Sequence, residues 1–223
     1  MTVVIMWNAR IKTLYQKIKQ HVRAWAELFQ EEPLNEQVEL LTNKEALANG
    51  EWVEWRLSDP TLIHEMETIE HDAYLGVTMW HQIDFYEDMI YNPRSFYLQG
   101  LIQRELVAFI GVRRDAKDVH ISNFVVRSDW QSHGIGSRML QQLQRLLPQL
   151  NRPSLSLEVR ATNVRAQAFY QRHGFIIERV EENYYTNNHE DAYWMTYQDN
   201  AEVNGTDSVP LPAEGCLRIR KEE

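Results

Sequence analysis

Cysteine is almost missing from this chain, which has 223 residues and a single cysteine, Cys216. One thiol cannot form an internal disulfide, and a zinc cluster built on cysteine is excluded as well. Both points favour a reducing compartment, so we expect the protein in the cytoplasm. Apolar runs of the ~18–20 residues that a membrane span requires are also missing. The N-terminus lacks a basic region before its apolar stretch and therefore does not resemble a secretory signal peptide.

Basic residues are in short supply too. The chain has 23 Lys and Arg against 32 Asp and Glu, which gives a formal net charge of −9. A dedicated nucleic-acid binder usually has a basic surface, so direct nucleic-acid binding is not expected. An acidic protein can instead attract a basic partner, such as a cationic peptide or a ribosomal protein. The hydrophobic fraction of 43% is large enough for a packed core.

Three regions differ in pattern along the chain. Residues 1–50 are expected to hold an amphipathic helix at about 8–29, followed by a polar linker with one short helix. Residues 51–198 alternate between apolar strands and helices and are the expected folded domain. Residues 199–223 are polar and are expected to be a disordered tail. The N-terminal helix has two tryptophans in its apolar stripe, which could pack on the domain's own sheet, mediate self-association or bind another partner.

The folded domain is expected to contain a strand, two helices, three strands, a helix, a strand, a helix and two strands. This order indicates an α/β fold with a mixed sheet and helices on both faces. Ser58 or Asp59 is expected to cap the first helix, while Asn163 caps a later helix that Gly174 ends. Pro148 is expected to end the helix that starts near residue 135. The expected strands are 52–57, 95–100, 106–113, 119–127, 155–159, 175–180 and 192–197.

A turn with two glycines joins the strand at 119–127 to the next helix, with the sequence QSHGIG at 131–136. Glycine lets backbone N–H groups approach one point, and a helix N-terminus adds partial positive charge, so such a turn can bind phosphate. It is not a Walker loop, because the lysine followed by serine or threonine is missing from it. A dinucleotide-binding fingerprint is excluded because it would need a third glycine.

Several motifs in this order resemble the GNAT superfamily of acetyl-coenzyme A-dependent N-acetyltransferases. The QSHGIG turn matches the family's pyrophosphate loop, Q/R-x-x-G-x-G/A, and LEVRATN at 157–163 matches its second motif. The segments LEVRATN, AFYQRHGF, HISNFVV and NYY…EDAYWM are similar to the ribosomal-protein-alanine N-acetyltransferase (RimI) family within it. The resemblance covers about 52–198 and implies a GNAT fold, to which this chain would add its N-terminal amphipathic helix.

The resemblance implies acetyl-coenzyme A as the cosubstrate and no metal. Main-chain N–H groups of the loop would hold the pyrophosphate. In this fold the sheet is splayed, and the exposed edge of the preceding strand would pair with the pantetheine amides of the cosubstrate. Ser132 stands where many members have glycine, and a serine serves there if its φ stays negative. The implied cofactor-binding residues are Phe124, Val125, Val126, Gln131, Ser132, His133, Gly134, Ile135, Gly136, Ser137, Asn163 and Tyr170.

Acyl transfer to an amine requires a neutral amine and a proton for the leaving thiolate. The resemblance implies that Glu158 is the general base, directly or through water, and that Tyr170 is the general acid. Judged from the residues alone, Glu158 could also be a solvated strand carboxylate and Tyr170 a core ring. The family's acceptor slot would include Trp80, Tyr184 and Tyr185, although these rings could instead simply close a hairpin.

The function implied is acetylation of a protein N-terminus, in the family typically the alanine of a ribosomal protein. The alternatives are a small-molecule amine, a lysine side chain or a non-catalytic coenzyme A-binding module. A lysine amine, with a pKa near 10.4, would demand more of the base than an α-amine near 8. The presence of both Glu158 and Tyr170 argues against the module. We assign no histidine to a metal, because His120, His133, His173 and His189 lie in separate elements without metal-ligand spacing.

Overall fold

The computed structural model describes residues 32–74 and 80–199, which form an eight-stranded mixed sheet with helices on both faces. This confirms the expected fold class. The N-terminal helix expected at 8–29 and the tail expected after residue 199 lie outside the described residues.

In chain order the elements are α1 (Leu34–Gln37), β1 (Lys44–Ala46), β2 (Trp52–Leu57), a 3-10 turn (Pro60–Leu62), α2 (Ile63–Ala73), α3 (Gln82–Tyr91), β3 (Ser95–Ile102), β4 (Glu105–Arg114), β5 (Val119–Val126), a 3-10 turn (Ser128–Trp130), α4 (Ile135–Leu150), β6 (Ser154–Arg160), α5 (Val164–Arg172), β7 (Ile176–Tyr185) and β8 (Glu190–Gln198).

The strands lie in the order β1-β2-β3-β4-β5-β6-β8-β7, and β5 with β6 is the parallel pair among otherwise antiparallel neighbours. β3 is buried along its whole length, as its nearly continuous apolar sequence predicts for a strand covered on both faces. β7, in contrast, is an edge strand with mostly exposed side chains. The site described below lies where the parallel pair separates.

Each face of the sheet is covered by its own apolar cluster. On one face, α4 contributes an apolar stripe at three-to-four-residue spacing that includes Leu140, Leu143 and Leu147, all fully buried. On the other face, α2 and α3 contribute Met66 and Phe85 to a second cluster. Among residues 32–74 and 80–199, none of the helices has the length and apolar character to span a membrane.

The segment expected to be a linker, 31–50, is more ordered than its polar sequence indicates. Leu34, Val38 and Leu47 are buried in the larger cluster, and β1 pairs with β2. The Glu45 carboxylate on β1 accepts a hydrogen bond from Gln142 of α4. A three-residue strand is too short for a hydrophobic alternation to be recognised, so only the short helix of this segment was predictable.

Helix ends confirm some expectations and correct one. Asp59 accepts a hydrogen bond from the Thr61 amide at 3.0 Å, and Gly174 has a φ of +86° where α5 ends, both as expected. The expected stop at Pro148 is wrong, because α4 continues to Leu150 and ends at Asn151, which has a φ of +51°. A proline in the last turn removes one main-chain hydrogen bond, and the burial of Leu150 compensates.

The last two strands are longer than expected. β7 extends to Tyr185 and β8 begins at Glu190, whereas the apolar pattern predicted 175–180 and 192–197. The extra residues are largely exposed, so their pairing relies on main-chain hydrogen bonds that leave no hydrophobic period in the sequence. As a result, Tyr184 and Tyr185 lie in a strand rather than in a hairpin loop.

Candidate active site

The sheet opens at its centre, between β5 and β6. Within the described residues, these parallel strands pair at two positions, and the second joins His120 to Ser156. Beyond that pair, β5 remains bonded to β4 while β6 pairs with β8 over its whole length. The opening between residues 121–126 and 157–160 is here called the fork. It is the splay that the family resemblance implied.

A bulge in β5 marks the start of the fork. Gly111 of β4 faces Asn123, but the next residue along β4 faces Ile121, so Ser122 has no counterpart. A bulge of this kind bends the strand and increases its twist. The close approach also requires glycine on β4, since a Cβ at Gly111 would lie 2.1 Å from Oδ1 of Asn123. The bulge therefore helps β5 to turn away from β6.

Main-chain donors converge at the end of β5, where the loop 131–136 leads into α4. Nε2 of Gln131 donates to the Val126 carbonyl at 3.1 Å, which ties the loop to the strand. Gly134 has a φ of +83°, a conformation that favours glycine, and Ile135 is buried as the first residue of the helix. No described side chain caps this helix start, so its first N–H groups are available to an anion.

Ser132 does not have the negative φ under which a serine was expected to replace glycine in this loop. Its φ is +66°, in the left-handed region that glycine adopts most easily. Successive residues of opposite hand make a concave group of N–H donors that suits anions, which is a physical reason for this conformation. The guanidinium of Arg165 lies 3.4 Å from the Ser132 hydroxyl and adds positive charge beside the loop.

Glu158 lies on β6 and is largely withdrawn from solvent, with 13% of its side chain exposed. Its Oε2 lies 3.1 Å from Nε2 of His120, across the start of the fork. Its neighbour in the β6–β8 register is Trp194. A solvated strand carboxylate, the alternative left open by the sequence, does not fit this burial.

Two tyrosines of β7 border Glu158. Partial burial and then the charge of Glu158 raise the pKa of Tyr184, whose side chain is otherwise exposed toward solvent. Tyr185 lies beneath the guanidinium of Arg160, with 3.7 Å between that group and the ring centroid. Burial raises the pKa of Tyr185 to about 12. The pair therefore offers one exposed and one sheltered phenol beside the carboxylate.

Tyr170 projects from α5 into an aromatic cluster next to the fork. Its ring centroid lies 6.4 Å from that of Phe124, 5.3 Å from Phe169 and 5.5 Å from Phe175. Burial, followed by the neighbouring Tyr74 and Tyr185, raises the pKa of its phenol. Tyr170 therefore packs as a core ring would, and it also keeps its proton at neutral pH.

Asn163 takes the cap position expected from the sequence. Its Oδ1 accepts a hydrogen bond from the Ala166 amide at 3.0 Å at the start of α5. The Nδ2 group of the same side chain points away from this bond by its covalent geometry and can serve a second partner. Capping and ligand binding are thus compatible.

Trp80 lies just before α3, whereas Tyr184 and Tyr185, the other residues expected on the acceptor side, lie on β7. It borders a cavity of about 640 Å³ together with Asp84, Asp88 and Tyr91 of α3. The described residues that line this cavity do not include Glu158 or the β7 tyrosines. The Trp80 amide contacts the buried Glu70 carboxylate at 3.3 Å, and burial raises the pKa of Glu70 to about 7.

The Glu190-Asp191 pair has a structural role at the entry of β8. Glu190 accepts hydrogen bonds from the Thr162 amide at 3.1 Å and from Arg160 at 2.8 Å, and the Thr162 and Arg160 contacts lower its pKa to about 2. Asp191 accepts from the Asn183 amide at 2.8 Å. These contacts fix the turn between β6 and α5 to the hairpin of β7 and β8.

His120 is the residue that the sequence interpretation missed. It was considered only as a metal ligand, yet its ring lies against Glu158 and Ser156. A histidine between the apolar residues Val119 and Ile121 is the signal that the sequence offers, but the contact itself depends on the register of two distant strands. Within residues 32–74 and 80–199, no three His, Cys, Asp or Glu side chains are grouped as a metal site.

Comparison with known proteins gives consistent matches. The profile of the acetyltransferase (GNAT) family matches residues 51–175. A Bacillus subtilis protein, provisionally named a ribosomal protein bS18-alanine N-acetyltransferase, is 28% identical over 146 residues, 65% of this chain and 93% of that protein. The ribosomal protein bS18-alanine N-acetyltransferase of Salmonella typhimurium is 39% identical over 118 residues, 52% of this chain and 78% of that protein. The crystal structure of the ribosomal-protein-S18-alanine N-acetyltransferase from Escherichia coli has a TM-score of 0.61 at 25% identity, covering 70% of this chain and 99% of that one.

Proposed function

Because this chain belongs to the acetyltransferase (GNAT) family, we propose that it transfers the acetyl group of acetyl-coenzyme A to the N-terminal α-amine of a protein. The acceptor we propose is the N-terminal alanine of a ribosomal protein, the substrate in the names of its relatives. Glu158 is the proposed base and Tyr170 the proposed acid. The observation that carries the proposal is that both border one fork: Glu158 lies on β6, and the Tyr170 ring packs 6.4 Å from that of Phe124 on β5.

The fork and its loop suit the cosubstrate, which supplies an acetyl thioester on an amide-containing arm with a diphosphate. Residues 131–137 offer uncapped main-chain N–H groups to the diphosphate at the start of α4. Residues 124–126 offer a strand edge that is unpaired on the side of the fork, so the amides of the arm can pair with it. Asn163 offers its Nδ2 group beside them.

Glu158 is proposed to receive the proton that the acceptor ammonium must lose, directly or through one water. An α-amine has a pKa near 8, so about a tenth of it is already neutral at pH 7. The partial burial of Glu158 excludes most competing water and keeps the carboxylate close to Tyr184, whose exposed ring is a suitable wall for a peptide N-terminus.

Tyr170 is proposed to give its phenolic proton to the thiolate that leaves when the new amide bond forms. Because burial raises the pKa of this phenol, the proton is present at neutral pH. The proton moves to sulfur as the C–S bond breaks and negative charge develops there, so that the free thiol leaves. Direct transfer of this kind needs no covalent acyl-enzyme, so no nucleophilic serine or cysteine is required.

Charge supports a basic protein acceptor. The net charge of −9 favours encounter with a cationic partner, which ribosomal proteins commonly are. The cavity beside Trp80 includes Asp84 and Asp88 and could receive basic side chains further along the acceptor.

The test is mass spectrometry with acetyl-coenzyme A and two peptides that share one sequence beginning with alanine. One peptide has a free N-terminus, and the other has a blocked N-terminus and free internal lysines. We expect acetylation of the first alone. Glu158→Gln and Tyr170→Phe should each lower kcat by about 100-fold, a size typical of losing one acid or base. Tyr197→Phe, another ring in contact with Phe175, is the matched control and should retain activity.

Acetylation of the blocked peptide would contradict the proposal and indicate lysine chemistry. Acetylation of a small amine such as spermidine, with neither peptide modified, would replace the protein acceptor by a small molecule. If Tyr170→Phe and Tyr197→Phe had the same activity, Tyr170 would not be the acid.

A further inference from the structure

One buried polar residue at the start of the fork remains without a role. His120 is 7% exposed, and its strand partner Ser156 is fully buried. The imidazole stacks on Trp194 with 5.4 Å between ring centroids and 27° between ring planes. Such burial of a polar ring on a strand requires that both ring nitrogens find partners.

Both nitrogens do so, and one partner is the proposed base. Nδ1 lies 3.0 Å from Oγ of Ser156, and Nε2 lies 3.1 Å from Oε2 of Glu158. A carboxylate only accepts, so Nε2 must carry the proton in this contact, and Nδ1 of a neutral ring then accepts from the serine hydroxyl. The Glu158 carboxylate thereby selects the tautomer, and the Ser156 hydroxyl, which can donate or accept, is compatible with it.

The consequence for the carboxylate is directional. Oε2 is held by His120, and the Tyr184 side chain also interacts with this carboxylate. A carboxylate with one fixed oxygen also loses the rotation that would otherwise average the position of the other. The His120 ring is itself fixed by Trp194 and Ser156, so His120 in turn limits the movement of the Glu158 carboxylate.

We propose that His120 is a positioning residue for acetyl transfer, which holds the Glu158 carboxylate in the orientation that accepts a proton from the acceptor amine. The inference rests on the proposed function in so far as Glu158 is its base. His120 touches neither substrate, and it acts through Glu158 alone. Ser156 and Trp194 hold the ring in the orientation that this requires.

Two substitutions of His120 distinguish the roles of its two ring nitrogens. The amide nitrogen of glutamine extends to about where Nε2 lies and can donate to Glu158, whereas that of asparagine extends only to about where Nδ1 lies. We expect His120→Gln to keep kcat within about 3-fold of the wild type. His120→Asn should lower kcat about 10-fold, with the KM for acetyl-coenzyme A unchanged, because the base is present but no longer oriented.

A double-mutant cycle with Glu158→Gln tests whether His120 acts through the base. In the Glu158→Gln background, His120→Asn should change kcat by less than about 2-fold, since the group to be oriented has been replaced. Equal losses in both backgrounds would overturn the proposal. So would equal losses for the two His120 variants, or a loss that appears in the KM for acetyl-coenzyme A.

Folding is monitored by the thermal midpoint and by acetyl-coenzyme A affinity for each variant. A purely structural role would lower both for asparagine and glutamine alike, and that result would also overturn the proposal. The comparison uses whichever amine the wild type acetylates. A wrong acceptor is therefore evident in the wild type, whereas a wrong role for His120 is evident only in the variants.

Discussion

The two helices beside the fork are held in opposite ways. α4 buries eight of its residues against the sheet, whereas no residue of α5 is classed as fully buried. α4 offers main-chain N–H groups at its start, and its position is fixed by the core. α5 offers a side chain, Tyr170, and is held by its cap, by Gly174 at its end and by aromatic contacts.

This difference corresponds to what each helix is proposed to do. Several N–H donors can bind one diphosphate only if their positions relative to each other are fixed, which requires a well-packed helix. A proton donor must come within hydrogen-bond distance of the leaving group only when the proton moves, so small movements of its helix are tolerated. Buried packing is thus concentrated where several groups are proposed to act together, and α5 is expected to open more easily than α4.

The largest expected contrast is in stability. Leu143→Ala removes a fully buried side chain of α4 and should lower the free energy of unfolding by about 3 kcal/mol. Val164→Ala on α5, where the side chain is 68% exposed, should change it by less than about 0.5 kcal/mol. Urea unfolding followed by circular dichroism measures both. Similar losses in the two variants would remove the distinction between the helices.

A smaller contrast is expected within the loop 131–136. Gly134→Ala places an L-residue at a φ of +83° and should lower the free energy of unfolding by about 1–2 kcal/mol, although nothing lies within 4 Å of the new Cβ. Gly136→Ala meets Phe169 at an ordinary 3.5 Å and should raise stability by about 0.5 kcal/mol, because alanine favours helix. In the same urea experiment, the two substitutions should change the free energy of unfolding in opposite directions. A loss at Gly136 as large as that at Gly134 would mean that space, rather than φ, determines both positions.

The smallest effect concerns the cap of α5. Asn163→Ala removes the acceptor for the Ala166 amide and should lower the free energy of unfolding by about 1 kcal/mol. Asn163→Asp keeps an accepting oxygen and should leave stability nearly unchanged, yet it removes the Nδ2 donor proposed for the cosubstrate. Calorimetric titration with coenzyme A should therefore show weaker binding to both variants. Normal binding to Asn163→Asp would restrict this residue to capping.

Much of this architecture was predictable from local sequence. The caps at Asp59 and Asn163, the end of α5 at Gly174 and the apolar stripe of α4 each arise from chemistry within a few residues of one another. Such features are encoded by spacing, which a single sequence displays directly.

The features that escaped prediction involve distant partners. β1 exists because it pairs with β2 and because Glu45 meets α4, and α4 passes Pro148 because Leu150 is buried. The contact between His120 and Glu158 depends on how two strands are aligned, so no spacing encodes it. The positive φ of Ser132 reflects the shape of the loop as a whole.

The fork also divides the sheet mechanically. On one side, β1 to β5 are joined by continuous pairing, and on the other side β6, β8 and β7 form a three-stranded unit. Within the described chain, the two units share a short stretch of main-chain bonds at His120 and Ser156 together with the core beneath them. A cosubstrate that lies in the fork, paired with β5 and in contact with β6, would link the two units where their own pairing ends. Amide hydrogen exchange in β5 and β6 should then slow together on binding, and at a ligand concentration of about 100 times Kd the whole fold should gain about 2.7 kcal/mol.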